Sequence, residues 1–210
     1  MTRTVVTQEG SLPTISSNQP LDRDRRVWLT TTSVAGGAGL VATAVPFVAS
    51  MAPSERARAL GAPVEFDVAS VKSGELKTVE WRGKPVFLLR RTSDMLKALT
   101  RNDDMLADPG SRRSEQPDYT VNVDRSVKPE FAVMVGICTH LGCIPTFRPT
   151  PGAPELGASW PGGFYCPCHG SKFDLAGRVF KNVPAPTNLV IPPYHYVSEG
   201  RLLIGVDPKS

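Results

Sequence analysis

Cys138-Thr139-His140-Leu141-Gly142-Cys143 and Cys166-Pro167-Cys168-His169-Gly170-Ser171 are the two stretches on which the reading of this chain turns. The sequence holds four cysteines and three histidines, and all but one of these seven residues fall in the two boxes. Each box offers one thiolate and one imidazole at short spacing, Cys138 with His140 and Cys166 with His169. Together they present two sulfur and two nitrogen ligands to a metal centre. Pro167, Gly142 and Gly170 suit loops that must turn tightly to bring ligands from separate parts of the chain onto one small core. Ligand softness also permits a zinc site of two cysteines and two histidines. Zinc pairs, however, usually put about two to four residues between cysteines and about three to five between histidines, whereas each pair here is mixed. A third reading makes all four cysteines structural disulfides, which leaves the matching placement of the histidines without a reason. His195 stands apart in a Pro-Pro-Tyr-His-Tyr run that reads as an edge strand, and no chemistry is assigned to it.

Outward from the boxes, the pattern is one of short strands. With 20 Pro and 18 Gly in 210 residues, a turn-rich, strand-dominated body is expected and a long helical bundle is not. Phe131 to Ile137 is continuously apolar and reads as a buried strand leading into the first box. Val64 to Val68, Leu76 to Trp81 and Val86 to Leu89 read as strands, the last two forming a hairpin through Arg82-Gly83-Lys84-Pro85. Ser93 to Leu99 has a cap and helical spacing, Arg101 to Lys128 reads as a polar insertion with loops, and Leu202 to Val206 as a closing strand. The net charge is +4, with no basic helical face or interleaved aromatics, so nucleic acid is not an expected partner.

The N-terminal quarter differs. Residues 1–26 are polar and mixed in charge, and no ionisable residue occurs from Val27 to Ser54. A membrane core about 30 Å thick needs about 20 helical residues, so 27–52 is long enough to span. Thr30, Thr31, Thr32 and Ser33 weaken its hydropathy but can bond back within a helix. Ala35, Gly39 and Thr43 allow close packing, and Pro46 is a candidate kink. Arg25-Arg26 before the apolar run resembles a twin-arginine export signal, with Asp24 where a Ser or Thr is usual. Ala42-Thr43-Ala44 resembles a cleavage site but lies inside the apolar run, so an uncleaved signal anchor is expected. The basic flank puts the N-terminus in the cytoplasm. Residues 53–63 read as a flexible hinge, and 64–210 as the folded domain, with the metal-binding loops at about 136–186.

With these features in view, the chain resembles the Rieske iron-sulfur proteins of quinol-oxidising cytochrome bc complexes, bacterial type. The resemblance rests on the C-T-H-L-G-C and C-P-C-H-G-S boxes, the anchor with its tether, and Val183-Pro184-Ala185-Pro186, which is similar to that family's proline-rich loop. It implies a mainly β fold: an antiparallel β-sandwich with a small cluster-binding subdomain, preceded by a single transmembrane helix. It also implies one 2Fe-2S cluster, with Cys138 and Cys166 on the inner iron and His140 and His169 on the outer, exposed iron. Cys143 and Cys168 would form a disulfide linking the loops, and Ser171 would hydrogen-bond a bridging sulfide and raise the potential. At Phe173, by contrast, many relatives carry a tyrosine that donates to a cysteine sulfur. Loss of that donor implies a less oxidising cluster.

The activity implied is that of a respiratory quinol-cytochrome c oxidoreductase. His169, with His140 beside it, would take the proton of ubiquinol as the cluster takes an electron. Leu141, Gly142, Pro184, Ala185 and Pro186 would dock on cytochrome b, and the electron would pass to a c-type haem, contributing to proton translocation. The implied setting is a bacterial inner membrane, with the domain periplasmic and the complex dimeric. The nearest rivals are an electron-transfer component of an aromatic-ring oxygenase or of an arsenite-oxidising enzyme, and Cys143, Cys168 and the anchor argue against the soluble oxygenase type. The 101–128 insertion argues against the plastoquinol-oxidising branch.

Overall fold

In the computed structural model, residues 22–208 are described and divide after Pro53 into two compact units. Residues 1–21, which hold most of the polar N-terminal segment, lie outside the described residues. The first unit carries one helix, α1 (Arg23–Ser50), capped by the Asp22 carboxylate, which accepts from the Asp24 and Arg25 N–H groups. It begins earlier than the apolar run, because the cap and the arginines form its first turn. At 1.5 Å per residue the helix is about 42 Å long, more than a membrane core requires. Its apolar face is not buried within the chain, and its mean hydropathy of 1.5 qualifies it as a candidate span. The hydroxyls behave as expected: those of Thr30, Thr31 and Thr32 return to the carbonyls of Val27 and Trp28, and Thr43 to Gly39. Each of these four hydroxyls is thereby satisfied inside its own helix.

The second unit begins at Ser54, whose hydroxyl accepts from the Ala57 N–H and starts the short helix α2 (Glu55–Leu60) within the expected hinge. Three antiparallel sheets follow. The first orders β1 (Val64–Asp67), β9 (Arg201–Ile204) and β8 (Tyr194–Ser198). The second orders β2 (Leu76–Trp81), β3 (Lys84–Arg90) and β4 (Phe131–Val135). The third orders β5 (Thr146–Arg148), β6 (Gly163–Tyr165) and β7 (Lys172–Phe173). His195 lies on the edge strand β8, its Nδ1 held 3.1 Å from the Val206 carbonyl.

The hairpin β2–β3 turns on Arg82 and Gly83 alone, both with positive φ, while Lys84 and Pro85 belong to the strand. Two central residues in the left-handed region make the turn whose twist matches the strands. Pro85 is tolerated because its partner Glu80 is the pair beyond the turn closure, where no N–H is required, and β4 begins only opposite Val86.

Burial on both faces explains why β4 and the Val86–Leu89 run of β3 are continuously apolar. Val86, Leu88, Phe131 and Val133 face one core, shared with Trp81 of β2, with Val68 and Ile191, and with Tyr194, Leu202 and Ile204 of the first sheet. Phe87, Leu89, Ala132 and Met134 face the opposite core, shared with Phe164, Phe173, Leu175, Leu189, Cys138 and Cys166. The middle sheet is thus covered on both sides, by its sandwich partner and by the small third sheet. Helix α3 (Ser93–Leu99) closes the second core with Leu99. Its cap is Thr92, whose hydroxyl accepts from the Met95 N–H.

Candidate metal centre

The first box follows β4 and leads into β5, and the second is the loop of the β6–β7 hairpin. Their backbones share one frame. The Cys138 N–H donates to the Cys143 carbonyl at 2.7 Å, and the Cys166 N–H to the Ser171 carbonyl at 2.8 Å. The Gly142 N–H returns to Cys138 and the Gly170 N–H to Cys166, both at 3.0 Å. Each glycine has φ near the left-handed region, +85° and +78°, a conformation that side chains other than glycine rarely adopt. In this common frame the histidine sits one residue later in the second box than in the first. The two imidazoles approach with ring centroids 4.8 Å apart and planes at 89°.

Cys143 and Cys168 are joined as a disulfide, while Cys138 and Cys166 are free and buried. The sulfurs of Cys143, Cys166 and Cys168 lie within 4.8 Å of one another. Two of these three are committed to the disulfide, so the donors left for a metal centre are Cys138, Cys166, His140 and His169. Burial pushes the Cys166 thiol up. The Cys168 N–H opposes this, and the side-chain contact with Cys138 adds to it. Two buried thiols in contact ionise together only when cations replace their protons, and with Cys138 and Cys166 buried and His169 exposed the donor set fits an iron centre with sulfur inside and nitrogen outside.

Ser171 is fully buried, and its hydroxyl oxygen accepts from the Ala185 N–H at 3.0 Å. The Thr139 hydroxyl donates to the Thr187 carbonyl at 2.7 Å. The loop 183–187 is therefore tied to both boxes, by a bond that Thr139's place between two ligands hinted at and that sequence reasoning did not assign. Around the histidines Leu141 is 70% exposed and Ile144 58%, and Gly142, Pro184 and Pro186 are also at the surface. Ala185, grouped with them from the sequence, is only 5% exposed. Its N–H bond to Ser171 turns the side chain inward, so the outward face of this loop is Pro184 and Pro186. Phe173 is buried in β7, opposite Phe164.

Behind the site lies a set of buried cations that the sequence did not flag. The Arg178 Nε bonds Asp174 at 2.8 Å, both side chains fully buried, and its remaining nitrogens reach Asp103 at 2.9 Å and the Leu99 carbonyl at 2.6 Å. Arg125 donates to Gln116 Oε1 and to the carbonyls of Ala176, Gly177 and Leu189. Arg91 reaches the carbonyls of Pro129 and Asp124 and the Ser126 hydroxyl. Through these bonds the 101–128 insertion, with only two 3-10 turns of regular structure, is fastened to the rest of the unit.

Comparison with known proteins gives the chain its relatives. The sequence pattern of the Rieske [2Fe-2S] domain matches residues 63–195. The chain is 58% identical to the ubiquinol-cytochrome c reductase iron-sulfur subunit of Allochromatium vinosum, over 89% of this chain and 90% of that protein. It is 38% identical to the subunit of the same name from Blastochloris viridis, over 91% and 98%. Among solved structures, a chain of a hyperthermophilic respiratory Complex III aligns with 84% of this chain and 98% of its own length, at 27% identity and a TM-score of 0.45.

Proposed function

This chain belongs to the Rieske [2Fe-2S] family, and from that premise we propose that it is the electron-transfer subunit of a ubiquinol-cytochrome c oxidoreductase of the cytochrome bc type. The near end-to-end similarity to the Allochromatium vinosum subunit carries this reading.

When bound, the [2Fe-2S] cluster supplies a mild one-electron acceptor. Cys138 and Cys166 would hold it on its buried side and His140 and His169 on its exposed side, while the Cys143–Cys168 disulfide keeps the two loops together around them. The Ser171 O–H would be free to donate to it, the oxygen already oriented by the Ala185 N–H. His169, the more exposed imidazole, accepts the hydroxyl proton of ubiquinol, with His140 as its neighbour at the same surface. Leu141, Gly142, Ile144, Pro184 and Pro186 form the apolar surface that excludes water when the tip docks on cytochrome b.

The helix α1 anchors the chain in a bacterial inner membrane, with the N-terminus cytoplasmic and the folded unit periplasmic. Residues 53–63 act as a hinge that lets the unit visit both cytochrome b and a c-type cytochrome within a dimeric complex. Electron paramagnetic resonance of the reduced full-length protein, with iron and acid-labile sulfide analysis, tests the core of the reading. A signal with average g below that of all-cysteine clusters is expected. A colourless, folded protein holding zinc would end it. Several prolines placed in 53–63 should slow turnover, and undiminished turnover would remove the hinge.

A further inference from the structure

Arg125 is 1% exposed and, unlike Arg178, bonds no carboxylate: its four acceptors are the Gln116 amide oxygen at 2.9 Å and the carbonyls of Ala176, Gly177 and Leu189 at 3.0, 3.2 and 2.7 Å. Burial lowers its guanidinium to about 10, which still leaves it charged at neutral pH. The carboxylates that act on it are already engaged. Asp174 is held by Arg178, and Asp108 accepts the N–H groups of Arg112 and Arg113 and the Ser114 hydroxyl. A buried cation whose own bonds all go to neutral dipoles keeps more of its field than one paired directly with a carboxylate, because Asp174 and Asp108 act on it without bonding it and little water screens it.

Two of the residues that hold Arg125 also belong to the apolar core that buries the two thiols. Ala176 and Leu189, whose carbonyls hold Arg125, pack their side chains in the same buried core as Cys138 and Cys166. Gly177, with φ +71°, makes the room, since a Cβ there would sit 3.3 Å from Arg125 Nη1 and 3.0 Å from Met134 Sδ.

We propose that Arg125 is an electrostatic positioning residue that raises the reduction potential of the centre held by Cys138, Cys166, His140 and His169, an inference that rests on the reading given under Proposed function. Uptake of one electron adds one negative charge to the buried site, and a cation across an apolar core favours the more negative state. The same bonds fix the roots of the 183–187 loop through Leu189, so a structural role exists beside the electrostatic one and the test must separate them.

Gln116→Glu does so, since it leaves Arg125 in place and puts a carboxylate on its Nε. Gln116→Met is the control: like Gln116→Glu it loses the donor to the Thr120 carbonyl, and it gives up the acceptor for Arg125 Nε without adding charge. In a redox titration of full-length protein in membranes, followed by paramagnetic resonance, Gln116→Glu should shift the midpoint downward relative to Gln116→Met, with the g values unchanged. Arg125→Met should shift it the same way and Arg125→Lys should hold it near the native value. Equal midpoints for Gln116→Glu and Gln116→Met, or a rise, overturn the proposal. If Gln116→Glu fails to assemble the centre, the Lys and Met variants of Arg125 decide, and equal midpoints for those two also overturn it. Native protein without iron and sulfide would instead defeat the functional reading itself.

Discussion

Replacing Arg178 with Met removes one partner of an ion pair in which both side chains are fully buried. Asp174 would keep two backbone donors, the N–H groups of Ala176 and Arg178 at 2.9 and 2.8 Å, but no bonded counter-charge. The Leu99 carbonyl would lose its donor, and α3 its tie to the turn after β7. Breaking a buried pair from one side typically costs about 3–5 kcal/mol, because a desolvated charge is left behind. For a domain of this size each kcal/mol lowers Tm by about 2–4 °C, so the loss should be about 6–20 °C. Urea unfolding of the full-length protein in detergent, followed by Trp81 and Trp160 fluorescence, measures the cost directly. The companion change Asp174→Asn, made together with Arg178→Met, removes both charges and should recover most of it, since Asn keeps an oxygen for the two N–H groups. A cost below about 1 kcal/mol, within the range of a surface pair, would refute the assignment of this network as a buried anchor.

Other expectations follow from single contacts. Phe173→Tyr should raise the midpoint potential if its hydroxyl reaches a cysteine sulfur, and a redox titration showing no rise would count against that. Gly205→Ala should destabilise by about 1–3 kcal/mol, because φ is +104° and a Cβ would lie 2.4 Å from Trp81 Nε1; thermal unfolding with no loss would contradict the geometry. Burial pushes the phenol of Tyr194 up to about 12 against about 10 unfolded, so its contribution is complete below pH 10 and disappears as pH rises towards 12. Tyr194→Phe should flatten that alkaline limb while lowering neutral stability through the lost Val127 N–H bond, and an unchanged pH profile would assign the limb to other groups.

Much of this architecture could be read from residue patterns, for physical reasons that differ by element. The strands β3 and β4 announced themselves because a sheet covered on both faces needs unbroken apolar runs, as in Val86 to Leu89 and Phe131 to Val135, and β2 followed from the turn that joins it to β3. The third sheet did not, since strands as short as Lys172–Phe173 carry no periodicity and are defined by pairing across the second box. The disulfide appears where family resemblance put it, between Cys143 and Cys168. Ala185 was misplaced because a proline on either side says nothing of which way the residue between them turns. Arg125 and Arg178 were invisible because charged residues in a polar stretch read as solvent-facing, and only their distant carbonyl and carboxylate partners explain their burial.

The one-residue offset of the histidines within otherwise matching loops sets their rings nearly perpendicular. A flat aromatic visitor lying coplanar with one imidazole therefore stands nearly at right angles to the plane of the other. Two chemically alike side chains are thus made unequal by direction, because a proton donor arriving in one pose cannot lie in the plane of both rings at once.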